Sequence, residues 1–571
     1  MYIALPLIMK KLNKPIRKIP TVRSPHGIKT ISEMIESSVD RYGDKTAYLT
    51  PRDNDIRRLT YAEVLEHVKR IGRYLKDLGI GRGDNIAILG ENRPEWGISY
   101  FTVSWIGGTA IPLDPRASME SLRFVLRYSE AKAIFLSASY LPNVRPMLEE
   151  LEGLERMIIM ETFDDIYLKY SRGVEREDIS DLELSEILFT SGTTGNPKGV
   201  MLTHKNVMSN VEDMHKILDC SPDDRSFSVL PLHHSYECTC GLLGSFYNGA
   251  SVFYARSIKP REMLEDLHRA SPTIWFSAQL ILEKLYLRID KEISSTVGLK
   301  GIFIRALPKK IVGNRIKKRL GLEKIKLIIC GGASLPSWVS KGLEHYGFPL
   351  VQGYGLSETS PLVSVNPPSK PKNDSVGMII ESDEVEIRDV DEDGNGEIVV
   401  SGPNIMKGYY KNENATREVL TPDGWLYTGD IGYFDDEGYL YITGRKKFLI
   451  VTPGGKNLSP EELEERLTKS SYIEEALVFS PDDRTIQALI YPNFEQVSSR
   501  LEATGLVVSD ENVWELIKAE IRRMNHDLEA YKRISNFAIR LDEFPKTTTR
   551  KIKRHLFKNA LIKPEQKVFK T

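Results

Sequence analysis

A ten-residue run rich in glycine and hydroxyl side chains constrains this chain more than any other segment. It reads Thr190-Ser191-Gly192-Thr193-Thr194-Gly195-Asn196-Pro197-Lys198-Gly199 and holds three glycines, three threonines, one serine and one lysine. Glycine permits backbone conformations that other residues resist, and free N–H and hydroxyl groups can surround phosphate oxygens. Lysine adds a compact positive charge. The run therefore predicts a loop that binds the phosphates of a nucleotide.

The spacing of this run excludes two other glycine-rich nucleotide motifs. A Walker A loop needs Gly-x-x-x-x-Gly-Lys-Ser/Thr leading into a helix, whereas here Pro197 and Lys198 follow Gly195 and no hydroxyl follows the lysine. The Gly-x-Gly-x-x-Gly dinucleotide fingerprint is also absent. A flexible linker is the remaining alternative, but apolar Ile187-Leu188-Phe189 precedes the run and Val200-Met201-Leu202 follows it. These flanks favour a loop held between two strands.

The composition of the chain excludes several broad classes of function. The chain has 571 residues, 41% of them hydrophobic, which is enough for two or more domains with their own cores. Lysine and arginine number 78 against 79 aspartates and glutamates, so the net charge of −1 favours neither nucleic acid nor an acidic membrane surface. Four cysteines in so long a chain favour a reducing compartment over a disulfide framework.

The first residues bear on location. They read MYIALPLIMKK, apolar before basic, which is the reverse of a secretory signal. No run approaches the roughly 18–20 apolar residues of a membrane span. The apolar start could touch a bilayer weakly, but a docked or frayed tail is favoured. We expect a cytoplasmic protein, with a peripheral position at the inner membrane face as the alternative.

Helical and strand patterns alternate between about residues 30 and 380. One helix is predicted by a capping box of Thr60 with Glu63 and by a terminating Gly79. Its apolar stripe consists of Val64, Val68, Ile71, Leu75 and Leu78. Short apolar strands are predicted at Asn85–Leu89, Lys132–Leu136, Ile187–Phe189 and Lys326–Cys330. Helix-length segments separate these strands, so the pattern predicts parallel sheets covered by helices.

After residue 380 the pattern becomes that of a smaller β-rich unit. Two turn sequences, DEDGNG and DDEG, are typical of hairpins. The first lies between strand segments Val385–Val390 and Glu397–Ser401, and the second between Ile431–Phe434 and Tyr439–Thr443. The first turn also matches half of an EF-hand loop. Its twelfth position is Val400 rather than a bidentate glutamate, so we interpret it as a hairpin.

A final α+β segment begins near Gly444. Its first helix is predicted to start at Ser459, with Pro460 at the first helical position and Glu462 completing a capping box. Strands at 476–479 and 487–491 and a long charged helix around 512–528 are expected to follow. The predicted fold class is α/β, with a large domain over residues 1–446 and a small mobile α+β domain over residues 447–571.

Together with its flanks, ILFTSGTTGNPKGVMLTH, the glycine-rich run resembles the phosphate-loop signature of the adenylate-forming (AMP-binding) superfamily. Further stretches resemble that family in order along nearly the whole chain, with features of long-chain fatty acid–CoA ligases. The resemblance implies that the phosphates of ATP are held by Lys198 and by the loop residues Thr190, Ser191, Gly192, Thr193, Thr194 and Gly195.

The stretch Pro231-Leu232-His233-His234-Ser235-Tyr236 is similar to the family segment beside the acyl pocket and places His234 at the motif position. Two other interpretations stay open. The two histidines with Cys238 and Cys240 could form a metal set, although Cys-x-Cys is not the usual zinc spacing. These residues could also belong to the core. The run 242–247 has two interpretations as well, the lining of an apolar tunnel or an ordinary core helix.

Two glycine-containing stretches resemble the family's adenine and phosphate contacts. In Gly331-Gly332-Ala333-Ser334, small residues at the end of a strand let a flat base approach the backbone, which assigns Gly332 and Ala333 to nucleotide binding. In Gln352-Gly353-Tyr354-Gly355-Leu356-Ser357-Glu358-Thr359, Tyr354 offers an aromatic face for adenine and Glu358 a hard oxygen for Mg²⁺. Ser357 stands where the family has threonine and keeps the hydroxyl for an α-phosphate contact.

The remaining motifs lie in the last third of the chain. Asp430 in WLYTGD takes the family's ribose-binding position, and Arg445 in YITGRKK takes its ribose and phosphate contact. Lys447 falls at the hinge position, and Gly455 in TPGGKN resembles the loop that faces CoA. In PKTTTRKIKR, Lys551 takes the place of the catalytic lysine, while Arg550 replaces the usual glycine. A solvated basic tail is the alternative interpretation of this last stretch.

The resemblance implies an acyl-CoA synthetase that converts a medium- or long-chain fatty acid, ATP and CoA through an acyl-adenylate, with Mg²⁺ on Glu358 and with Lys551, Glu358 and Lys198 as catalytic residues. Two alternatives remain. A fatty acyl-AMP ligase that delivers the acyl group to an acyl carrier protein would use the same ATP residues. A non-catalytic nucleotide-binding protein would be signalled by loss of the three catalytic residues, and all three are present.

Overall fold

The computed structural model describes residues 18, 27–52, 55–190, 197–295, 307–451, 457–482, 485–546, 552–557, 560–562 and 567–568. Of the residues assigned to the site from the sequence, Ser191 to Gly195, Gly455 and Lys551 lie outside these ranges.

The strands of the described residues, in chain order, are β1 Thr46–Arg52, β2 Asp55–Thr60, β3 Asn85–Leu89, β4 Thr109–Pro112, β5 Ala133–Leu136, β6 Arg156–Ile159, β7 Leu184–Thr190, β8 Lys198–Thr203, β9 Arg225–Ser228, β10 Ser251–Tyr254, β11 Ile274–Ala278, β12 Leu327–Gly331, β13 Leu350–Gly355, β14 Leu362–Val365, β15 Met378–Ile379, β16 Glu384–Arg388, β17 Gly396–Ser401, β18 Gly408–Tyr409, β19 Leu426–Phe434, β20 Leu440–Arg445, β21 Ile450–Val451, β22 Asn457–Leu458, β23 Ile473–Phe479, β24 Gln487–Pro492 and β25 Asn536–Ile539.

The α-helices are α1 Ile31–Tyr42, α2 Tyr61–Asp77, α3 Pro94–Trp105, α4 Met119–Tyr128, α5 Leu141–Val144, α6 Met147–Glu150, α7 Phe163–Lys169, α8 His204–Ile217, α9 Gly244–Tyr247, α10 Pro260–Ala270, α11 Gln279–Ser295, α12 Lys309–Arg319, α13 Ser337–His345, α14 Glu413–Val419, α15 Pro460–Thr468, α16 Phe494–Ala503 and α17 Asp510–His526. A π-helix spans Tyr236–Leu243. Short 3₁₀ turns occupy Ala138–Tyr140, Met160–Thr162, Ser357–Thr359, Lys446–Phe448, Ala530–Lys532 and Arg554–Phe557.

Two large sheets dominate the described structure. One has nine strands in the order β15-β14-β13-β12-β11-β9-β10-β1-β2, and its strands from β13 to β1 run parallel. The other has seven strands in the order β18-β8-β7-β4-β3-β5-β6, with parallel pairing from β7 to β6. Smaller sheets follow the orders β16-β17-β19-β20, β21-β22 and β23-β24-β25. The predicted parallel sheets with covering helices are confirmed, with antiparallel strands added at their edges.

Local sequence signals explain where many elements begin. Helix α2 starts after Thr60, whose hydroxyl accepts from the N–H of Glu63 while the Glu63 carboxylate accepts from the N–H of Thr60. Its buried stripe includes Val64, Val68 and Ile71. The predicted capping box and stripe are therefore confirmed. The predicted strands are also present, each within a few residues of the expected bounds.

The capping box predicted at the start of α15 is wrong. Helix α15 does begin at Pro460, but Ser459 makes no side-chain cap to the backbone. Its hydroxyl instead contacts the Glu461 carboxylate at 2.8 Å. The Ser459 Oγ also lies so close to Gly444 that a Cβ there would be 2.1 Å away. Packing against Gly444 therefore fixes this hydroxyl and removes it from the cap position.

The predicted hairpin at DEDGNG is confirmed and shows no EF-hand geometry. The carbonyl of Asn395 accepts from the N–H of Asp391 at 2.7 Å, which closes the turn. The Asp391 carboxylate accepts from the N–H groups of Asp393 and Asn395, both at 3.0 Å. Strands β16 and β17 flank the turn, so its aspartate stabilises a tight connection.

The Cα positions separate into two compact units. The large unit comprises Met1–Val385, Val399–Tyr427 and Phe434–Tyr441, and the small unit comprises Glu386–Ile398, Thr428–Tyr433 and Ile442–Thr571. Each unit has its own apolar core. Trp275, Ile328 and Val339 are among the buried residues of one core in the large unit, and Leu463, Ile490 and Ile517 are among those of the small unit. None of the described helices is both long enough and apolar enough to cross a bilayer.

Glu186 is a carboxylic acid buried in the centre of the large unit. It lies on β7 opposite Ala110 of β4 and is fully buried. The hydroxyl of Tyr100 on α3 donates to its carboxyl group at 3.2 Å. Burial raises the pKa of Glu186 from 4.5 to about 7, although the Tyr100 hydrogen bond opposes that shift.

The raised pKa predicts how the Glu186→Gln variant responds to pH. Below pH 4.5 the acid is protonated in both the folded and unfolded chain, whereas above about pH 7 ionisation favours the unfolded chain. The stability contributed by the protonated acid is thus lost as pH rises through 7. Glutamine does not titrate, so the variant should gain about 3 kcal/mol relative to the natural chain over this interval. Scanning calorimetry of the unfolding midpoint at several pH values measures the gain.

Glu183→Gln serves as the matched control for this prediction. The Arg82 guanidinium hydrogen-bonds Glu183 and lowers the pKa of that carboxyl group. In the natural chain the ionised Glu183 therefore stabilises the fold at higher pH, and this contribution is lost on acidification. Glu183→Gln lacks the contribution, so its stability relative to that of the natural chain should fall as pH rises. A midpoint difference between Glu186→Gln and the natural chain that stays constant with pH would contradict the assignment.

Candidate active site

The glycine-rich run connects two paired strands of the large unit. Strands β7 and β8 are antiparallel, with Thr190 opposite Lys198 and Phe189 opposite Gly199. An added Cβ at Gly199 would lie 2.9 Å from the Ile187 side chain, so glycine lets the two strands pack closely here. The predicted strands on both sides of the run are confirmed. The pairing brings Thr190 and Lys198 to the two ends of the loop.

Tyr409 links this hairpin to a carboxylate. Its strand β18 pairs with β8, and Tyr409 lies opposite Val200. The Tyr409 hydroxyl donates to Glu358 Oε1 at 2.9 Å, and the Lys198 Nζ lies 4.9 Å from the centroid of the Tyr409 ring. Burial, reinforced by the negative Glu358, raises the pKa of Tyr409 far above its usual value, so the phenol stays protonated and is the donor. The structure thus brings Lys198 and Glu358 to the same aromatic ring.

Glu358 lies in a short 3₁₀ turn that follows β13. The preceding residues run from Tyr354, which is 9% exposed, through Gly355 to Ser357. A Cβ at Gly355 would lie 1.6 Å from the Pro361 carbonyl oxygen, so only glycine fits between the strand and the returning chain. Tyr354 and Ser357 therefore stand at the carboxyl end of β13, which is the usual position for ligands of parallel sheets.

The loop after Ile405 fixes the position of Tyr409. The N–H of Met406 donates to the Glu358 carbonyl oxygen at 2.9 Å. The side-chain amide of Asn206 on α8 donates to the carbonyl oxygens of Pro403 and Ile405 at 2.7 and 2.8 Å. The backbone just before β18 is thereby held both to the turn that carries Glu358 and to helix α8.

The predicted adenine segment lies at the end of the neighbouring strand β12. Gly332 has a φ of +79°, a left-handed conformation that favours glycine, and it is exposed together with partly exposed Ala333. The ring of Tyr236 packs against Gly331, where an added Cβ would lie 2.9 Å from it. Gly332 follows β12, and Tyr354 lies in the last two residues of β13. Because these strands are parallel neighbours, both residues lie at the same end of the sheet.

His234 lies just before the π-helix that begins at Tyr236. Its ring centroid is 4.2 Å from that of His233. Burial, followed by the effects of His234 and Arg116, holds the pKa of His233 well below its usual value, so His233 is neutral and its 3.6 Å contact with Asp114 is not an ion pair. A π-helix widens the backbone and is often found at functional sites.

The run 242–247, for which a tunnel lining and a core helix were both open, packs in the core. Leu242, Leu243 and Phe246 are fully or almost fully buried. The Phe246 ring contacts Tyr61 at a centroid distance of 4.3 Å and Phe101 at 4.8 Å. These contacts belong to the packing of helices in the large unit. The core interpretation is favoured for Phe246.

Asp430 and Arg445 meet in the small unit. The Asp430 side chain is 4% exposed, and its carboxylate lies 2.8 Å from the Arg445 guanidinium, which is 36% exposed. The N–H of Asp430 donates to the Thr428 hydroxyl, which donates to the Ile398 carbonyl oxygen. Glu397 accepts from the N–H of Gly429 and from Lys446. The two predicted ribose contacts are therefore paired with each other.

Lys447 lies two residues after Arg445. Its Nζ lies 4.7 Å from the centroid of the Phe448 ring, and the Arg554 guanidinium lies 5.0 Å from the same ring. Arg554 also pairs with Glu464. Lys546 and Ile552 form an antiparallel bridge on either side of the segment that contains Lys551. The structure thus places Lys546 and Ile552, the residues of the lysine motif that flank 547–551.

The residues around Glu358 fit the magnesium ion that the resemblance implies. Among the described residues, no group of three His, Cys, Asp or Glu side chains has the arrangement of a metal cage. Mg²⁺ bound to a triphosphate needs only one or two carboxylates, since waters and phosphate oxygens complete its shell. One partly exposed carboxylate whose Oε1 is oriented by Tyr409 meets this requirement.

Tyr409 is a functional candidate that the sequence reasoning missed. It lies more than 200 residues after the glycine-rich run, on a strand of two residues. The available signal was the glycine followed by two tyrosines in Met406-Lys407-Gly408-Tyr409-Tyr410, after an apolar stretch. No periodic pattern marks so short a strand, and only the fold brings it to Lys198.

Comparison with known proteins places these features in a family. The sequence profile described as AMP-binding enzyme matches residues 35–410, and the profile described as AMP-binding enzyme C-terminal domain matches residues 448–564. A chloroplastic long-chain-fatty-acid–[acyl-carrier-protein] ligase of Arabidopsis thaliana is 27% identical, and the alignment covers 87% of this chain and 80% of the relative. A long-chain-fatty-acid–CoA ligase of Bacillus subtilis (strain 168) is 28% identical, with 81% and 85% covered.

Solved structures share the fold over almost the whole chain. The o-succinylbenzoate coenzyme A synthetase of Bacillus subtilis, in complex with ATP and magnesium ion, is 25% identical with a TM-score of 0.72, covering 92% of this chain and 99% of that one. An anthranilate CoA ligase in complex with anthranoyl-AMP has a TM-score of 0.76 at 22% identity, covering 95% and 98%, and shows the fold alone. Since the first family profile by itself matches more than half of the 571 residues, the chain belongs to the AMP-binding enzyme family.

Proposed function

We propose that this protein is an ATP-dependent, AMP-forming ligase that joins a medium- or long-chain fatty acid to coenzyme A. The observation that carries the proposal is the meeting of Lys198 and Glu358 on Tyr409, beside the loop between β7 and β8. A phosphate-binding lysine and a magnesium-binding carboxylate are the charges that a triphosphate requires. Family membership and the ligases among the relatives support the reaction class.

In the first half-reaction a fatty acid carboxylate oxygen attacks the α-phosphorus of ATP. The new O–P bond forms as the bond between the α-phosphorus and the bridging oxygen breaks, which releases pyrophosphate and leaves an acyl-adenylate. The protein's contribution to such a transfer is mainly positioning and charge neutralisation. We assign the phosphates to Thr190, Lys198 and residues 191–195, and the transferring oxygens to Lys551.

Recognition of the nucleoside is assigned to residues at strand ends. Adenine is assigned to Tyr354, Gly332 and Ala333, and the α-phosphate to the hydroxyl of Ser357. In the small unit, ribose recognition is assigned to Asp430 and Arg445. Their 2.8 Å ion pair holds the carboxylate in a fixed orientation, so its remaining acceptor capacity can be directed at hydroxyl groups.

Glu358 would hold Mg²⁺. When bound, the ion would neutralise charge on the triphosphate and orient its oxygens. The chain's own part is to orient the Glu358 carboxylate. The Tyr409 hydroxyl and the backbone bond from Met406 to Glu358 supply that orientation.

In the second half-reaction the sulfur of CoA attacks the acyl carbonyl carbon. The C–S bond forms, the bond to the phosphate oxygen breaks, AMP leaves and the thiol proton passes to solvent. Gly455 is assigned to the CoA-facing loop and Lys447 to a hinge between domains at residues 1–446 and 447–571. The acyl chain is assigned to a pocket beside His234, whose partly exposed ring precedes the π-helix.

An acyl carrier protein is the second candidate acceptor. The carrier-protein ligase among the relatives favours this alternative, and so does the surface of helix α12. Lys310, Arg315 and Lys318 of that helix are exposed and present a cationic face suited to an acidic protein. CoA and a carrier protein would compete for the same acyl-adenylate. A cytoplasmic location, with or without weak contact to a membrane surface, stays a prediction.

The products test the reaction class. Purified protein incubated with ATP, Mg²⁺, a long-chain fatty acid and CoA should form AMP, pyrophosphate and acyl-CoA, because attack at the α-phosphorus releases the β- and γ-phosphates together. Liquid chromatography of the nucleotides and mass spectrometry of the thioester measure these products. Replacing CoA with carrier protein compares the two acceptors. ADP as the main nucleotide product would contradict the proposal.

Asp430→Ala tests the ribose assignment. A carboxylate that accepts from ribose hydroxyls makes charge-assisted hydrogen bonds, so its loss should weaken ATP binding by about tenfold or more. Isothermal titration calorimetry measures the dissociation constant. Asp389→Ala is a matched control, because Asp389 is exposed and pairs with Lys446 in the same unit. Equal affinities in the natural chain and the Asp430 variant would remove Asp430 from the site.

Variants of the last motifs test whether the two half-reactions use different residues. Lys551→Ala should slow acyl-adenylate formation by roughly 10²–10³-fold, the scale expected for one lost preorganised charge. The same variant, given synthetic acyl-adenylate, should transfer the acyl group to CoA at a near-normal rate. Gly455→Leu should do the reverse, because a side chain there would obstruct the pantetheine.

Lys447→Pro provides a third measurement, because proline fixes the φ angle that a hinge must change. This variant should lose thioester formation and keep acyl-adenylate formation. Pyrophosphate exchange reports the first half-reaction, and release of AMP from added acyl-adenylate reports the second. Equal loss of both half-reactions in all three variants would show that the two steps share one arrangement of the chain.

A further inference from the structure

We infer that Tyr409 is a positioning residue for the reaction. It holds the Glu358 carboxylate in the orientation that binds Mg²⁺ and keeps that carboxylate apart from Lys198. The inference rests on the proposed assignment of Glu358 to magnesium and of Lys198 to phosphate. It adds a role to a residue of the edge strand β18.

A hydrogen bond from Tyr409 orients the Glu358 carboxylate. The Tyr409 hydroxyl donates to Glu358 Oε1 at 2.9 Å, and the tyrosine is 8% exposed. None of the described residues donates to Glu358 Oε2. A carboxylate with one oxygen fixed by a phenol presents the other in a defined direction, which a cation of strict octahedral preference requires.

The opposite charges of Lys198 and Glu358 are kept apart by the Tyr409 ring. Lys198 and Glu358, both described, form no ion pair with each other, although both contact Tyr409. A direct ion pair would satisfy each charge internally and would have to break before a metal–triphosphate could bind. The lysine instead lies over the ring face, 4.9 Å from its centroid, where the attraction is weaker than that of a buried ion pair. The ring therefore stabilises the lysine without neutralising the carboxylate.

Backbone hydrogen bonds hold the strand that carries Tyr409 in a fixed position. The N–H of Tyr409 donates to the Thr416 hydroxyl at 2.9 Å, and the N–H of Tyr410 donates to the Gly199 carbonyl oxygen at 2.7 Å. The second bond anchors β18 to the residue that follows Lys198. Gly408 has a φ of +138° and lies so close to Thr416 that an added Cβ would be 2.8 Å away. The backbone thus fixes Tyr409 relative to both Lys198 and Glu358.

The test measures ATP binding by calorimetry with and without Mg²⁺, so that its readout is independent of turnover. Tyr409→Phe keeps the ring beneath Lys198 and removes the hydroxyl. We expect its affinity for ATP in EDTA to match that of the natural chain, while the gain in affinity produced by Mg²⁺ falls about tenfold, the effect of one hydrogen bond to a charged group. Tyr409→Leu, which also removes the ring, should in addition weaken ATP binding in EDTA.

Two further variants separate the possible outcomes. Tyr410→Phe is the matched control, because its hydroxyl points to Glu130 and its loss should change neither affinity. Glu358→Gln should lose the gain from Mg²⁺; if it does not, the assignment of Glu358 fails and the present inference fails with it. If Glu358→Gln loses the gain but Tyr409→Phe keeps it, only the inference about Tyr409 is overturned. A Tyr409→Phe variant that weakens binding equally with and without Mg²⁺ would likewise overturn it.

Discussion

The pairing of strand β8 on both of its edges is the constraint on which the candidate site depends. On one side β8 pairs with β7, which brings the two ends of the glycine-rich loop together. On the other side it pairs with β18, which carries Tyr409. The two ladders of β8 therefore fix the backbone at Lys198 relative to Thr190 on one side and to Tyr409 on the other.

Several carboxylic acids in the large unit are buried, and the fold stabilises them in their neutral form. Burial raises the pKa of Glu237 in the π-helix well above its usual value and that of Glu186 to about 7. Gly241 makes room for the first of these, because an added Cβ would lie 2.8 Å from the Glu237 carboxyl carbon. A buried neutral acid can donate as well as accept, so it can join helices to strands without the cost of a buried charge.

Sequence reasoning predicted the features that local patterns determine. The hydrophobic period and capping box of α2, the strand Asn85–Leu89 and the turn at Asp391 are each encoded within a few residues. The assignments of the loop, Glu358 and Asp430 to nucleotide binding come from motifs and stay predictions. No local pattern or motif indicates Tyr409 or the side-chain contact of Ser459, because each depends on a residue far away in sequence or on packing against Gly444. Register between distant strands is a tertiary property, which no window of sequence contains.

The candidate site holds two sets of opposite charges that are arranged differently, and the difference has a physical reason. Asp430 and Arg445 contact each other directly at 2.8 Å, which suits recognition of neutral hydroxyl groups, since the pair can stay intact while the carboxylate accepts further bonds. In the proposed function Lys198 engages a phosphate of the ligand and Glu358 engages a cation. A direct bond between them would compete with that ligand for both charges. An intervening phenol ring, attractive to the cation through its face and to the carboxylate through its hydroxyl, removes this competition while it holds both side chains in place.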